Sequence, residues 1–159
     1  MQNISIKVLE SVFTGDYRNA IHSNSGTLGR LSLYVSNCHL DGLSSTTENK
    51  SKAAIWLNSC CDSVVIKNSI FKIFSFFSSV KAICIIPDKK DCNYVEIKDN
   101  EISNIHSSEN QEIQGIMVFL KKAVIKNNTI RNISSVSVST SDCEGIYTKV
   151  ANCSIVKIS

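Results

Sequence analysis

Proline occurs once and glycine six times in 159 residues, so chain reversals fall mainly to other residues. No run approaches the roughly 18 consecutive apolar residues of a membrane helix, which argues against a membrane partner. The opening Met1-Gln2-Asn3-Ile4-Ser5 has neither the basic nor the apolar region of a secretory leader. The P-loop, GxGxxG, HExxH and GxSxG patterns are all missing. A net charge of +3 is too weak to argue for nucleic acid. Seven cysteines leave at least one unpaired within the chain. Their spacing fits neither a CxxC metal site nor a regular disulfide framework. They read as small buried fillers, with a bridge from Cys92 to Cys60 or Cys61 left open. No metal or cofactor is expected, because His39 and His106 have no Cys or carboxylate at ligand spacing.

Serine, asparagine, isoleucine and valine are abundant instead, in short β-branched runs punctuated by Asn and Ser. These runs repeat. Ile97-Lys98-Asp99-Asn100-Glu101-Ile102-Ser103-Asn104-Ile105 returns as Ile125-Lys126-Asn127-Asn128-Thr129-Ile130-Arg131-Asn132-Ile133. Segments 35–43, 66–74 and 150–158 align with them without gaps, and Met1, Asn3, Ile6 and Leu9 extend the pattern backwards. One column therefore reads Asn3, Asn37, Asn68, Asp99, Asn127, Asn152, at intervals of 25 to 34 residues. A second motif keeps the same beat: Ala20-Ile21, Ala54-Ile55, Ala82-Ile83, Gly115-Ile116 and Gly145-Ile146.

A repeat of this length with three short alternating runs predicts a solenoid of parallel strands, each paired with its equivalent one coil away. The fold class expected is all-β, a parallel β-helix of about five coils, one domain over 1–159. Asn and Asp suit the tight bend between the second and third runs, because they tolerate left-handed angles. Stacked bends would then bond amide to amide. Residues 112–126 could be drawn as an amphipathic helix, but their register with four other repeats argues for strands. The repeat begins at Met1 and stops at Ile158-Ser159 in the third strand. Both ends are therefore expected to be bare edges of a fragment, open to continuation of the solenoid or to a homo-oligomer.

The V/I-x-N-N/S-x-I-x-x-I and small-Ile-x-apolar segments resemble those of the right-handed parallel β-helix, the pectin-lyase-like superfamily. The resemblance covers essentially the whole chain. It implies a polysaccharide or glycan partner, as in lyases, glycoside hydrolases and phage tailspikes, in a secreted or particle-associated protein. The same scaffold also carries non-catalytic binders, adhesins and purely structural segments.

The resemblance places a substrate groove on the outer face of the first strand stack. The outward slots there are His22, Trp56, Cys84, Met117 and Tyr147. Trp56 and Tyr147 could stack on sugars, and His22 could titrate. Acids in the entering loops are Asp16, Glu48, Glu109, Glu112, Asp142 and Glu144. Hydrolysis needs two carboxylates about 5–9.5 Å apart. Glu112, Asp142 and Glu144 are the candidates, with Glu112 facing Glu144 across one coil. Lys149 is the candidate base for a lyase. Ser141-Asp142-Cys143-Glu144-Gly145-Ile146 is similar to the Asp-Asp-Cys segment of the polygalacturonase branch, whose other signatures are absent. Lys67, Lys98 and Lys126 form a basic column. It reads either as a solvated face or as a track for an anionic polysaccharide.

Overall fold

The computed structural model describes residues 3–15, 18–24, 29–42, 52–75, 79–87, 92–107, 112–120, 122–135, 143–148 and 155–158. Among them are sixteen strands and no helix. Sheet A holds β1 (Ile4–Leu9), β4 (Leu31–Ser36), β7 (Cys61–Lys67), β10 (Cys92–Lys98), β13 (Lys122–Lys126) and β16 (Ile155–Ile158). Sheet B holds β2 (Val12–Phe13), β5 (His39–Asp41), β8 (Ile70–Ser75), β11 (Glu101–Ser107) and β14 (Thr129–Ser135). Sheet C holds β3 (Ile21–Ser23), β6 (Lys52–Leu57), β9 (Val80–Ile85), β12 (Ile113–Val118) and β15 (Cys143–Thr148). The chain visits the three sheets in rotation, and the neighbouring strands within each are parallel. This is a parallel β-helix, with residues 113–118 and 122–126 extended rather than helical.

Both sequence columns stack in register. Ile21, Ile55, Ile83, Ile116 and Ile146 are successive partners in sheet C. Val35, Ile66, Ile97 and Ile125 are successive partners in sheet A. With Leu40, Phe71, Ile102 and Ile105 from sheet B they form one aliphatic core. The small residue before each sheet C isoleucine has a packing reason. A Cβ on Gly115 would meet the Gly145 carbonyl oxygen at 2.6 Å and Ile130 Cγ2 at 3.0 Å, whereas one on Gly145 meets nothing closer than 3.9 Å.

The bend column is made of Glu10, Asn37, Asn68, Asp99 and Asn127, all with φ between 48 and 57°. Four of these match the sequence reading. The first does not: Val8 pairs with Val35, which puts Glu10 and not Asn3 at the bend. The last turn is shifted as well. Ile158 pairs with Ile125 in sheet A, so 155–158 continue the second strand stack and not the third; Asn152 lies outside the described residues. The gapless alignment of 66–74 also needs a correction. The β8–β11 register slips between Ser103 and His106, where Asn104 takes φ 55° as a bulge. Asn132 repeats that bulge one coil on, and its amide donates to Asn104 Oδ1 at 3.1 Å.

The main polar ladder lies one residue past the bend, in the slot of Cys38, Ser69, Asn100 and Asn128. A left-handed bend turns the next N–H along the solenoid axis. The Cys38 N–H donates to Ser69 Oγ (3.1 Å), the Ser69 N–H to Asn100 Oδ1 (3.0 Å) and the Asn100 N–H to Asn128 Oδ1 (3.1 Å). The slot side chains in turn donate to carbonyls: Ser69 to Lys67, Asn100 to Ile66, Asn128 to Ile97 and Lys126. In the bend column the described amide bond is Asn127 to Asp99 Oδ1, and it is exposed.

Asn100→Ala strands the Ser69 N–H in the interior, so urea denaturation should show a loss of about 1–3 kcal/mol. Asn127→Gly, at the exposed bend, should stay within about 0.5 kcal/mol of the native chain. Gly115→Ala is expected to cost about 1–3 kcal/mol through its clash with fixed backbone. Gly145→Ala is expected to be tolerated in the same measurement.

Candidate functional site

In sheet C the small residue and the isoleucine after it both face the core, so strict alternation is interrupted and the outward side chains lie three residues apart. The outer face carries two rows. One is His22, Trp56, Cys84, Met117 and Tyr147, each the register partner of the next. The other runs through Ala53, Lys81, Gln114 and Glu144.

The first row is graded in exposure. His22 is exposed, Trp56 and Tyr147 are half-buried, and Cys84 and Met117 are buried. Ala53, Cys84 and Met117 form a second hydrophobic cluster, separate from the core, with Trp56, Ile86, Phe119 and Tyr147 packed on it. The Trp56 indole N–H is fixed by Asn58 Oδ1 at 2.7 Å. The Tyr147 ring lies tilted on Phe119, centroids 5.7 Å apart. Both rings are thus held in place on the outside of the sheet.

The second row is polar and covered. Lys81 is 4 % exposed and Gln114 2 %. Gln114 Oε1 and Glu144 Oε2 are buried without a hydrogen-bond partner. Such orphaned acceptors are rare and call for a reason. Burial pushes the Lys81 ammonium below its ordinary range, opposed by the nearby Cys84 and Glu112. Burial also pushes the Cys84 thiol up to about 12. A cation, an amide and a carboxylate, each a coil apart, therefore line up in the row beside the aromatic one.

Of the sequence-predicted acids, Glu144 sits in this row. Its register partner is Gln114, not Glu112, and Glu112 is exposed just before β12. Asp142 and Lys149 lie outside the described residues, as do Asp16, Glu48 and Glu109. Lys81 and Gln114 were not singled out from the sequence. The signal was there: both precede the small residue of the repeat, the slot that Glu144 occupies before Gly145.

The basic column is real in register, Lys67 beside Lys98 beside Lys126, but largely engaged. Glu96 pairs with Lys98 at 3.6 Å and with Lys126 at 3.5 Å. Lys67 lies over the Tyr34 ring, 5.3 Å from its centroid. The Tyr34 hydroxyl holds Lys67 above its usual range and is itself lowered by it. His39 lies 3.7 Å from Asp41, and His106 Nδ1 bonds Ser134 Oγ at 2.9 Å. Among the described residues no three His, Cys, Asp or Glu side chains gather as a metal site.

A lysine lowered by folding binds fewer protons folded than unfolded between its folded pKa and the ordinary 10.5. Stability linked to Lys81 therefore rises with pH across that window, and the burial penalty is fully present below it. Lys81→Met should raise the urea midpoint at pH 7, with the advantage over the native chain shrinking towards pH 10.5. A midpoint that falls at both pH values would contradict the assignment of Lys81 as a buried cation that opposes folding. Searches against protein-family models, curated proteins and solved structures find no match to this chain.

Proposed function

We propose that this chain is a polysaccharide-interacting β-helix of the pectin-lyase-like kind, with the glycan lying along the outer face of sheet C. One observation carries the reading. A face that a purely structural solenoid would leave solvated holds two fixed aromatic rings beside a row of largely buried, partly unsatisfied polar groups. Aromatic rings offer an apolar plane to the C–H face of a sugar. Buried amide and charged groups select hydroxyl and carboxylate positions, because leaving them unpaired is costly. Trp56 and Tyr147 are three coils apart, about 14 Å at about 4.8 Å per coil. An extended chain of sugars running along the axis, rather than a single residue, fits that span.

Binding without cleavage is the form favoured here, because glycoside hydrolysis calls for two facing carboxylates and the register sets Glu144 beside an amide. The depolymerase alternative draws on one feature, the buried Oε2 of Glu144, which has no hydrogen-bond partner and could accept one from a sugar hydroxyl. The basic column is a weaker second surface, since Glu96 already neutralises much of it.

The two forms separate on a glycan panel read for both binding and product. The binder form expects an affinity that falls at least about tenfold, or about 1.4 kcal/mol, in Trp56→Ala and survives in Glu144→Gln. The depolymerase form expects new chain ends from the native protein and none from Glu144→Gln. Unchanged affinity in Trp56→Ala and Tyr147→Ala together would remove the proposed face.

A further inference from the structure

Two core-facing thiols meet at the start of sheet A's middle strands. Cys61 opens β7 and Cys92 opens β10, and they are register partners. Both belong to the main core, 0 % and 7 % exposed. Adjacent parallel strands run about 4.8 Å apart, inside the roughly 4.4–6.8 Å Cα separation that a disulfide spans. The described cysteines Cys38, Cys60, Cys61, Cys84 and Cys92 are not joined in disulfides. Among them this is the pair in register. Cys38 is engaged with the Ser36 carbonyl, and Cys84 faces Met117 Sδ at 4.0 Å on the other side of the wall.

The pair is also polarised. The Cys61 thiol donates to the Ser59 carbonyl at 3.2 Å and the Cys92 thiol to the Tyr94 carbonyl at 3.7 Å. The neighbouring Cys92, with the Arg30 charge contributing, lowers the Cys61 thiol, while Cys61 and burial push Cys92 up. Arg30 is held in place by its bonds to the Cys61 carbonyl at 2.8 Å and to Asp62 at 2.5 Å. One sulfur is thus the readier nucleophile, and its register partner one coil on is the thiol that keeps its proton.

We propose that Cys61 and Cys92 form a dithiol modification site for small-molecule disulfides of the glutathione class, and that its product is a disulfide joining two successive coils. The Cys61 thiolate attacks one sulfur of the oxidant, breaking its S–S bond and releasing one thiolate. Cys92 then gives up its proton and attacks the Cys61 sulfur of the mixed disulfide, releasing the second. Two protein thiols are oxidised by two electrons, the oxidant is reduced to two thiols, and the two protons leave on them. The link would tie residues 31 positions apart across the strand starts beside the Arg30–Asp62–Asn93 network.

The test uses the full chain, treated with excess oxidised glutathione at pH 8 in urea just below the unfolding midpoint, so that the strand starts can open. Mass spectrometry should show a loss of two hydrogens in one peptide-linked pair. The link should form in Cys60→Ser and fail in Cys61→Ser. Cys92→Ser should stop at a glutathione adduct on Cys61. The oxidised native chain should unfold at higher urea and return to the original midpoint with dithiothreitol. Three outcomes would overturn the proposal: a link through Cys60, a lasting glutathione adduct on native Cys61, or two intact thiols under these conditions. The native-chain measurement needs no variant to fold.

Discussion

A bend in the left-handed region solves one problem and creates another. It turns the chain within two residues, yet it aims the following N–H along the solenoid axis, where no strand of its own coil can accept it. The next coil supplies the acceptor, at Ser69 Oγ, Asn100 Oδ1 and Asn128 Oδ1 in turn. Each coil is therefore incomplete without its neighbour, in hydrogen bonding as well as in burial. The amide is suited to the slot because it donates and accepts at once. Asn100 receives from Ser69 and gives to Ile66 and Asn128. Serine and cysteine fill the same slot at Ser69 and Cys38 with fewer bonds, so the ladder is most complete between Asn100 and Asn128.

This stacking also fixes the outer face. With the register set by the isoleucine column, Trp56, Cys84, Met117 and Tyr147 must line up on the far side of sheet C. Lys81, Gln114 and Glu144 must line up beside them. Burying a lysine and two unpaired acceptors on that side does not help the fold. A desolvated cation and orphaned oxygens each oppose folding by an amount comparable to a lost hydrogen bond or more. Folded proteins keep such conflicts mainly where they serve a function, and that is why the glycan reading rests on this face and not on the neutralised lysine column.

The middle of the solenoid was legible in the sequence because two independent columns, small-Ile and V/I-x-N, kept phase across it. The ends were not. Asn3 fitted the pattern as a letter, but Val8 is the residue of β1 that packs on the core, and its pairing with Val35 sets the register. At the far end Ile155–Ile158 can be read in either of two strand stacks, since alternating aliphatics look alike in both. The bulge at Asn104 was hidden because Ile73 and Ile105 are both core residues one position apart in the gapless alignment. The ladder was assigned one residue early. A column of Asn and Asp advertises amides, whereas its real work is the positive φ. At the site, aromatic residues announced the outward row. The buried lysine and glutamine had no such advertisement, because their position before a small residue acquires meaning only once burial on the outer face is known.

Native-state hydrogen exchange tests the interlocking of coils most directly. If the slot side chains of one coil close the backbone of the previous one, the amide protons of Cys38, Ser69 and Asn100 should exchange only through global unfolding, as slowly as those of Ile66 and Ile97. Exchange at these three amides through local opening, much faster than at Ile66 and Ile97 and insensitive to denaturant, would contradict it.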